Sequence, residues 1–362
     1  MTVHVSNQGP QSFAERINRV YADLRKDGVA VSDMRRSPSM ELQFAGAGDI
    51  GQRSAVSPAR AGVEPVEGPI VARRIPEIAP RDSRLRYFLD GAQRTFSVLR
   101  CGLVPVAATV VAAGVLRRDP TGDGVLEPGT LALEHSWLIP SVEDATLAEL
   151  RSRIEDSGMR VIDTLTASKR EIAPDGADFG LLHELAYIAA RDKRAAVERE
   201  VLDRWTRRLE WRQGTDWIVV DGRLTLPDLR TIGLVKQFTE TYLSGQDAIT
   251  LLGLPPGYRT TAFFPGTNRH FGEGQEGELI MWYIRLWDAD GLDARHALVR
   301  IEAPASVATT DEIDEISAWI LAERTPRATG DARWATLLYP VHLLERMLKR
   351  RLDADTRGWP GA

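Results

Sequence analysis

The chain has 362 residues, 43% hydrophobic and 27% charged, which excludes a collagen-like, low-complexity or wholly disordered polypeptide. Its net charge of −5 comes from 46 Lys and Arg against 51 Asp and Glu, so the global basic field of a simple nucleic-acid binder is absent, while a local basic groove is still allowed. The longest nearly apolar run, Leu103 to Leu116, is too short to span a bilayer, and the lone Cys101 excludes an intrachain disulfide or a multi-cysteine zinc site. The N-terminus lacks the basic and apolar regions of a secretory leader, so the expected compartment is the cytoplasm, with no membrane partner.

The first 82 residues read as an N-terminal extension or subdomain. A helix is predicted from Pro10 to Arg25, capped by Ser12, with Phe13, Ile17, Val20, Tyr21 and Leu24 at helical spacing. The Gly-, Ser- and Pro-containing stretch from Gly46 to Pro69 reads as a long surface loop or small subdomain. The main domain is expected over 83–355. Tyr87-Phe88-Leu89 is a buried-strand run ending at Asp90-Gly91, and Thr95 to Leu99 and Val104 to Leu116 are further strands. Asp119 to Gly124 is a turn, and Leu131 to Ile139 a third strand of an antiparallel meander.

Helices are predicted for Thr146 to Gly158 and from Asp178 to about Trp211. Trp217 to Val220 is a short strand ending in Asp221-Gly222, and Thr231 to Lys236 another. Leu279 to Leu286 pairs with His296 to Glu302, and Asp311 to Leu321 and Pro340 to Leu352 are helical. Strands first, then helices interleaved with strands, make a mixed α/β sheet flanked by helices.

Several chemistries lack their motifs. There is no Walker A loop, and no G-x-S-x-G elbow. The glycines from Gly272 to Gly277 lie in an acidic loop unsuited to phosphate. His183-Glu184 lacks the second histidine of a zinc protease.

What remains is a repetition. Two strands end alike, at Asp90-Gly91 and Asp221-Gly222. Each Asp-Gly is an ordinary way to begin a turn. If the strands are sheet neighbours, however, the two carboxylates converge and repel unless a cation lies between them. An all-oxygen site of that kind suits Mg²⁺ or Mn²⁺. The helix before the second strand offers Glu198, in the middle of an apolar arc of Val197, Val201, Leu202, Trp205 and Leu209, whereas Glu200 points away. A carboxylate in that arc needs a metal or a partner such as Arg194, one turn back.

These pieces, in order, resemble the NurA nucleases. Phe88-Leu89-Asp90-Gly91 is similar to that family's first Asp-Gly strand, and Val219 to Leu224 to its second Asp-Gly-x-Leu. Ile232 to Lys236 resembles its I-G-x-V-K strand, Arg300-Ile301-Glu302-Ala303-Pro304 its R-x-E-x-P strand, and Tyr339-Pro340 with Leu343 its C-terminal helix. The family's Asp-Gly-Ser reads Asp90-Gly91-Ala92 here, and its late histidine or acid is replaced by Arg346-Met347-Leu348, with His342 and Glu345 nearby.

The resemblance implies an RNase H-like fold and a Mn²⁺- or Mg²⁺-dependent nuclease that processes DNA ends in repair or antiviral defence. It implies a homodimer docked on a hexameric HerA-type ATPase. Asp90, Glu198 and Asp221 would be the catalytic and metal-holding residues. Lys236, Arg300 and Tyr339 would meet DNA; the alternative for Lys236 and Arg300 is ordinary surface or salt-bridge duty, with Arg300 well placed to pair with Glu302. The alternative is a catalytically silent RNase H-like scaffold that binds DNA and the translocase.

Overall fold

The computed structural model describes residues 12–33, 39–43, 62–119, 123–168, 178–224, 230–238, 241–265, 279–307, 309–325 and 334–360. In chain order these form α1 (Phe13–Lys26), β1 (Val31–Asp33), α2 (Met40–Gln43), β2 (Glu64–Pro65), β3 (Ala72–Arg74), β4 (Leu85–Cys101), β5 (Val104–Arg118), β6 (Gly124–Leu126) and β7 (Ala132–Ile139). There follow α3 (Ala145–Asp156), β8 (Val161–Asp163), α4 (Thr164–Ser168), α5 (Phe179–Thr206), α6 (Leu209–Gln213), β9 (Trp217–Asp221) and β10 (Thr231–Val235). The chain closes with α7 (Gly245–Leu252), β11 (Tyr258–Thr260), β12 (Phe263–Phe264), β13 (Leu279–Arg285), β14 (Leu298–Pro304), α8 (Thr310–Ala322) and α9 (Tyr339–Asp355).

The strands join in one mixed sheet, in the order β2-β12-β13-β14-β10-β9-β4-β5-β7-β8. The meander β4-β5-β7 is antiparallel, whereas β9 runs parallel to both β4 and β10. The mixed α/β architecture with helices on both faces is therefore the one expected.

Side-chain alternation sorts the layers. Along β5, Ala108, Val110 and Ala112 face α1, α3, α8 and α9, while Val111, Ala113 and Val115 face the other side with α5. Small residues let α5 come close: its Ala186, Ala189 and Ala190 pack with Ala107 of β5. No helix among the described residues is long and apolar enough to cross a membrane.

Three expectations change. The strand holding Asp90 does not end there. β4 runs unbroken for 17 residues through Asp90-Gly91, because β5 pairs with it along nearly its whole length. The long helix does not reach Trp211. It stops at Thr206, and Arg208 turns extended, stacks on Trp205 and donates to Pro128 O. Leu209, expected on the buried arc, is thereby 64% exposed.

The described part of the first 82 residues is built into the body. Ser12 caps α1 in a capping box with Glu15, and Phe13, Ile17 and Leu24 enter the main core. β1 pairs with the far end of β4, β2 with β12 and β3 with β11. Glu67 is clamped by fully buried Arg259, which also holds Asp314 at 2.6 Å. Most of the predicted Gly46–Pro69 loop, the centre of the Asp119–Gly124 turn and the Gly272–Gly277 loop lie outside the described residues.

Candidate active site

β9 pairs with β4 only as far as Leu89 opposite Val220. The next residue on each strand is the aspartate, so Asp90 and Asp221 emerge side by side where the parallel ladder ends. Phe88 and Val219 belong to the α9 face and Leu89 and Val220 to the α5 face. Alternation therefore puts both aspartates on the α9 face and Gly91 on the α5 face.

Glu198 arrives from the other layer. Val197, Val201, Leu202 and Trp205 bury their side of α5 against the sheet, which carries Glu198 inward and leaves Glu200 exposed. The Glu198 side chain is 16% exposed and lies directly over Gly91. A Cβ on Gly91 would sit 2.2 Å from its Oε1. The first Asp-Gly glycine thus makes room for the third carboxylate. Gly222 has a different task, since its φ of +121° suits no other residue well.

The turn after Asp221 is held from β14. Glu302, fully buried, accepts the Leu224 N–H at 2.9 Å and Arg300 Nη2 at 2.9 Å. Arg300 is itself 1% exposed and stacks near Tyr242 and Phe238. The pairing with Glu302 that the sequence also allowed is thus made, and the Arg-x-Glu pair braces the Asp221 turn. Tyr339 is half-exposed at the start of α9 and does not line the cleft beside the carboxylates.

Lys236, just past β10, does reach the site. Its Nζ lies 2.6 Å from Asp221 Oδ2. Burial works against the ammonium, but the charges of Asp221 and Asp90 outweigh it and hold its pKa above the ordinary value. Arg194 Nε lies 3.3 Å from Glu198 Oε1, the pairing that helical spacing allowed. Glu345 of α9 is buried near enough to Asp90 to act on its charge, and accepts Lys349 Nζ at 2.6 Å. Helix α9 therefore brings a further carboxylate close to Asp90.

A cleft of about 370 Å³ opens beside Gly91, Arg194 and Glu345, with Arg94 and Lys349 on its rim. One wall comes from the N-terminal region. Glu41 accepts from Gln93 Nε2 and from the Thr95 N–H, both at 3.2 Å, on a stretch of β4 edge between β9 and β1. Nothing near Glu41 in sequence marks it for this place, because its position depends on contacts more than 50 residues away.

Burial raises the Asp90 pKa well above the usual carboxylate range, and the Asp221 charge adds to the shift against Lys236. Burial likewise pushes Glu198 from 4.5 to about 7, with Arg194 opposing and Asp221 adding. The unfolded chain ionises this glutamate near 4.5 and the folded chain near 7. Its stabilising contribution is thus complete below pH 4.5 and is lost as pH rises through 7. The loss is on the order of 3 kcal/mol. Melting in chelator from pH 4 to 8 should show this decline, and Glu198→Gln should make it shallower, leaving the part due to Asp90. An equal slope in the variant would place the ionisation elsewhere.

The donor set is all carboxylate oxygen, and Asp90 has no side-chain partner among the described residues beyond its neighbour's Gly91 N–H at 2.8 Å. That chemistry fits a hard divalent cation. As they stand, no three His, Cys, Asp or Glu side chains among the described residues are gathered closely enough to hold an ion. Asp221, Glu198 and Glu345 each lie close to a lysine or arginine.

No family model matches the sequence, and no curated protein does. Among solved structures, the crystal structure of the NurA nuclease from Sulfolobus solfataricus aligns with 79% of this chain and 90% of its own, at 10% identity and a TM-score of 0.34.

Proposed function

We propose that the chain is a divalent-metal-dependent nuclease acting on DNA. One observation supports this reading: Asp90 and Asp221 lie side by side on adjacent parallel strands, Glu198 reaches over Gly91 from the long helix, and a cleft lined by Arg94, Arg194, Lys349, Glu41 and Glu345 opens beside Gly91. The ordered resemblance to the NurA family supports it. Asp90, Glu198 and Asp221, with Glu345 beside them, would hold Mn²⁺ or Mg²⁺. The ion would supply the positive charge that activates water and stabilises the leaving oxygen in phosphodiester hydrolysis. The chain's own part is to fix the carboxylates, through Gly91 and the Arg300–Glu302 brace, and to orient the strand's phosphates with Arg94, Lys349 and Lys236. Purified protein should degrade linear DNA with Mn²⁺ or Mg²⁺ and be inert in chelator. Undiminished degradation in chelator contradicts the reading.

A second reading is favoured by Ala92 in place of the family's serine and by the three carboxylate–cation pairs. In it the chain is a silent scaffold that binds DNA. DNA binding without cleavage in any divalent metal would select it.

The resemblance also supports a homodimer working with a hexameric HerA-type ATPase, since this chain lacks a Walker A loop to power movement along DNA. The first 82 residues would contribute to docking. Light scattering after size exclusion should show a dimer that co-elutes with a co-encoded ATPase. A monomer that ignores it argues against the partnership.

A further inference from the structure

Three of the four carboxylates of the site have a cation close by. Lys236 Nζ stands 2.6 Å from Asp221, Arg194 Nε 3.3 Å from Glu198 and Lys349 Nζ 2.6 Å from Glu345. Asp90, the most buried of the four carboxylates, is left with only its neighbour's N–H among the described residues. Lys236 is the most enclosed of the three cations, its side chain 13% exposed against 39% for Arg194 and 40% for Lys349.

Resting on the nuclease reading, we propose that Lys236 exchanges partners: it holds Asp221 while the site lacks a divalent ion, and turns to a phosphate of the bound strand when an ion takes the carboxylates.

An Asp221 oxygen that accepts an ammonium at 2.6 Å cannot also take a divalent ion without bringing two cations together in a poorly solvated place. The ammonium must move, and a lysine's flexible four-carbon stem lets it. The other carboxylates near Lys236 are Asp90 and Glu345, and both face the same ion. The remaining anion that can enter is the strand's phosphate. Ion and strand then bind cooperatively, and the coupling is reciprocal. Lys236 is in this sense a positioning residue whose charge neutralises carboxylate in one state and phosphate in the other.

Two measurements test the exchange, with Ca²⁺ replacing Mn²⁺ so that the strand survives. In the wild-type protein, amine-reactive labelling read by mass spectrometry should find Lys236 protected in chelator, reactive with Ca²⁺ alone, and protected again with Ca²⁺ and a single-stranded oligonucleotide. Fluorescence anisotropy of the labelled oligonucleotide should show Ca²⁺ tightening wild-type binding by about tenfold or more, and Lys236→Met binding by less than about threefold. Lys236→Arg should restore part of the difference. Lys236 reactivity unmoved by Ca²⁺, or full Ca²⁺ dependence in Lys236→Met, overturns the exchange and leaves the nuclease reading standing. A wild-type protein that binds no oligonucleotide with or without Ca²⁺ overturns both.

Discussion

Asp90→Asn should abolish DNA cleavage while leaving the chain at least as stable as wild type. The aspartate is 5% exposed, and its carboxylate sits beside Asp221 with no cation in contact among the described residues. An amide of the same shape keeps the Gly91 N–H bond through its oxygen and removes the charge that burial and Asp221 disfavour. In chelator at pH 8 the variant should therefore melt no earlier than wild type. Cleavage should fall by more than about a hundredfold, because the charge that draws the ion is gone. Asp221→Asn should lose cleavage equally but differ in stability. It takes away the direct partner of Lys236, and a buried ammonium short of its partner costs about 1–3 kcal/mol. Glu198→Gln should follow Asp90→Asn, while Glu200→Gln, on the exposed side of the helix, should stay within about 0.5 kcal/mol and cleave normally. Normal cleavage by Asp90→Asn would remove the carboxylate site from the mechanism.

Gly91→Ala should be nearly as damaging to cleavage as Glu198→Gln, although it removes no functional group. The added Cβ would lie 2.2 Å from Glu198 Oε1 and 2.8 Å from its Cγ and Cδ. The backbone tolerates alanine there, since Gly91 lies in β4 without a positive φ. The side chain of Glu198 has to yield, and it moves away from the two aspartates. Overpacking of this size costs about 1–3 kcal/mol, so the chain should still fold. Gly222→Ala provides the contrast. Nothing lies within 4 Å of its added Cβ, and the cost comes from φ of +121°. Wild-type cleavage by Gly91→Ala would mean that Glu198 is not needed where it lies.

The repeated Asp-Gly was visible in the sequence, but not its two meanings. Both glycines follow an aspartate at the end of a parallel ladder. Gly222 turns the chain, whereas Gly91 stays within a strand and admits a glutamate from the opposite layer. That second role depends on α5 lying across β4, which local sequence does not encode. Helical periodicity correctly separated Glu198 from Glu200, because the apolar side of α5 dictates which of them turns inward. It failed at Leu209, where Arg208 leaves the helix for Pro128. Strand periodicity could not tell that Arg300 is buried against Glu302 as a brace, since a surface contact would need an arginine at the same register. Glu345 sits at an offset that the family pattern does not match, and only packing of α9 on β4 brings it to Asp90. Glu41, with the cleft wall it forms, was beyond reach of sequence reading for the same reason.

The nuclease reading requires these carboxylates to take a divalent cation. A crystal soaked in Mn²⁺ and measured at the manganese absorption edge tests it most directly. The expected result is an anomalous peak between Asp90 and Asp221, with Glu198 among its ligands and Lys236 withdrawn from Asp221. A saturating soak that leaves no peak there, with Lys236 still bound to Asp221, would contradict it.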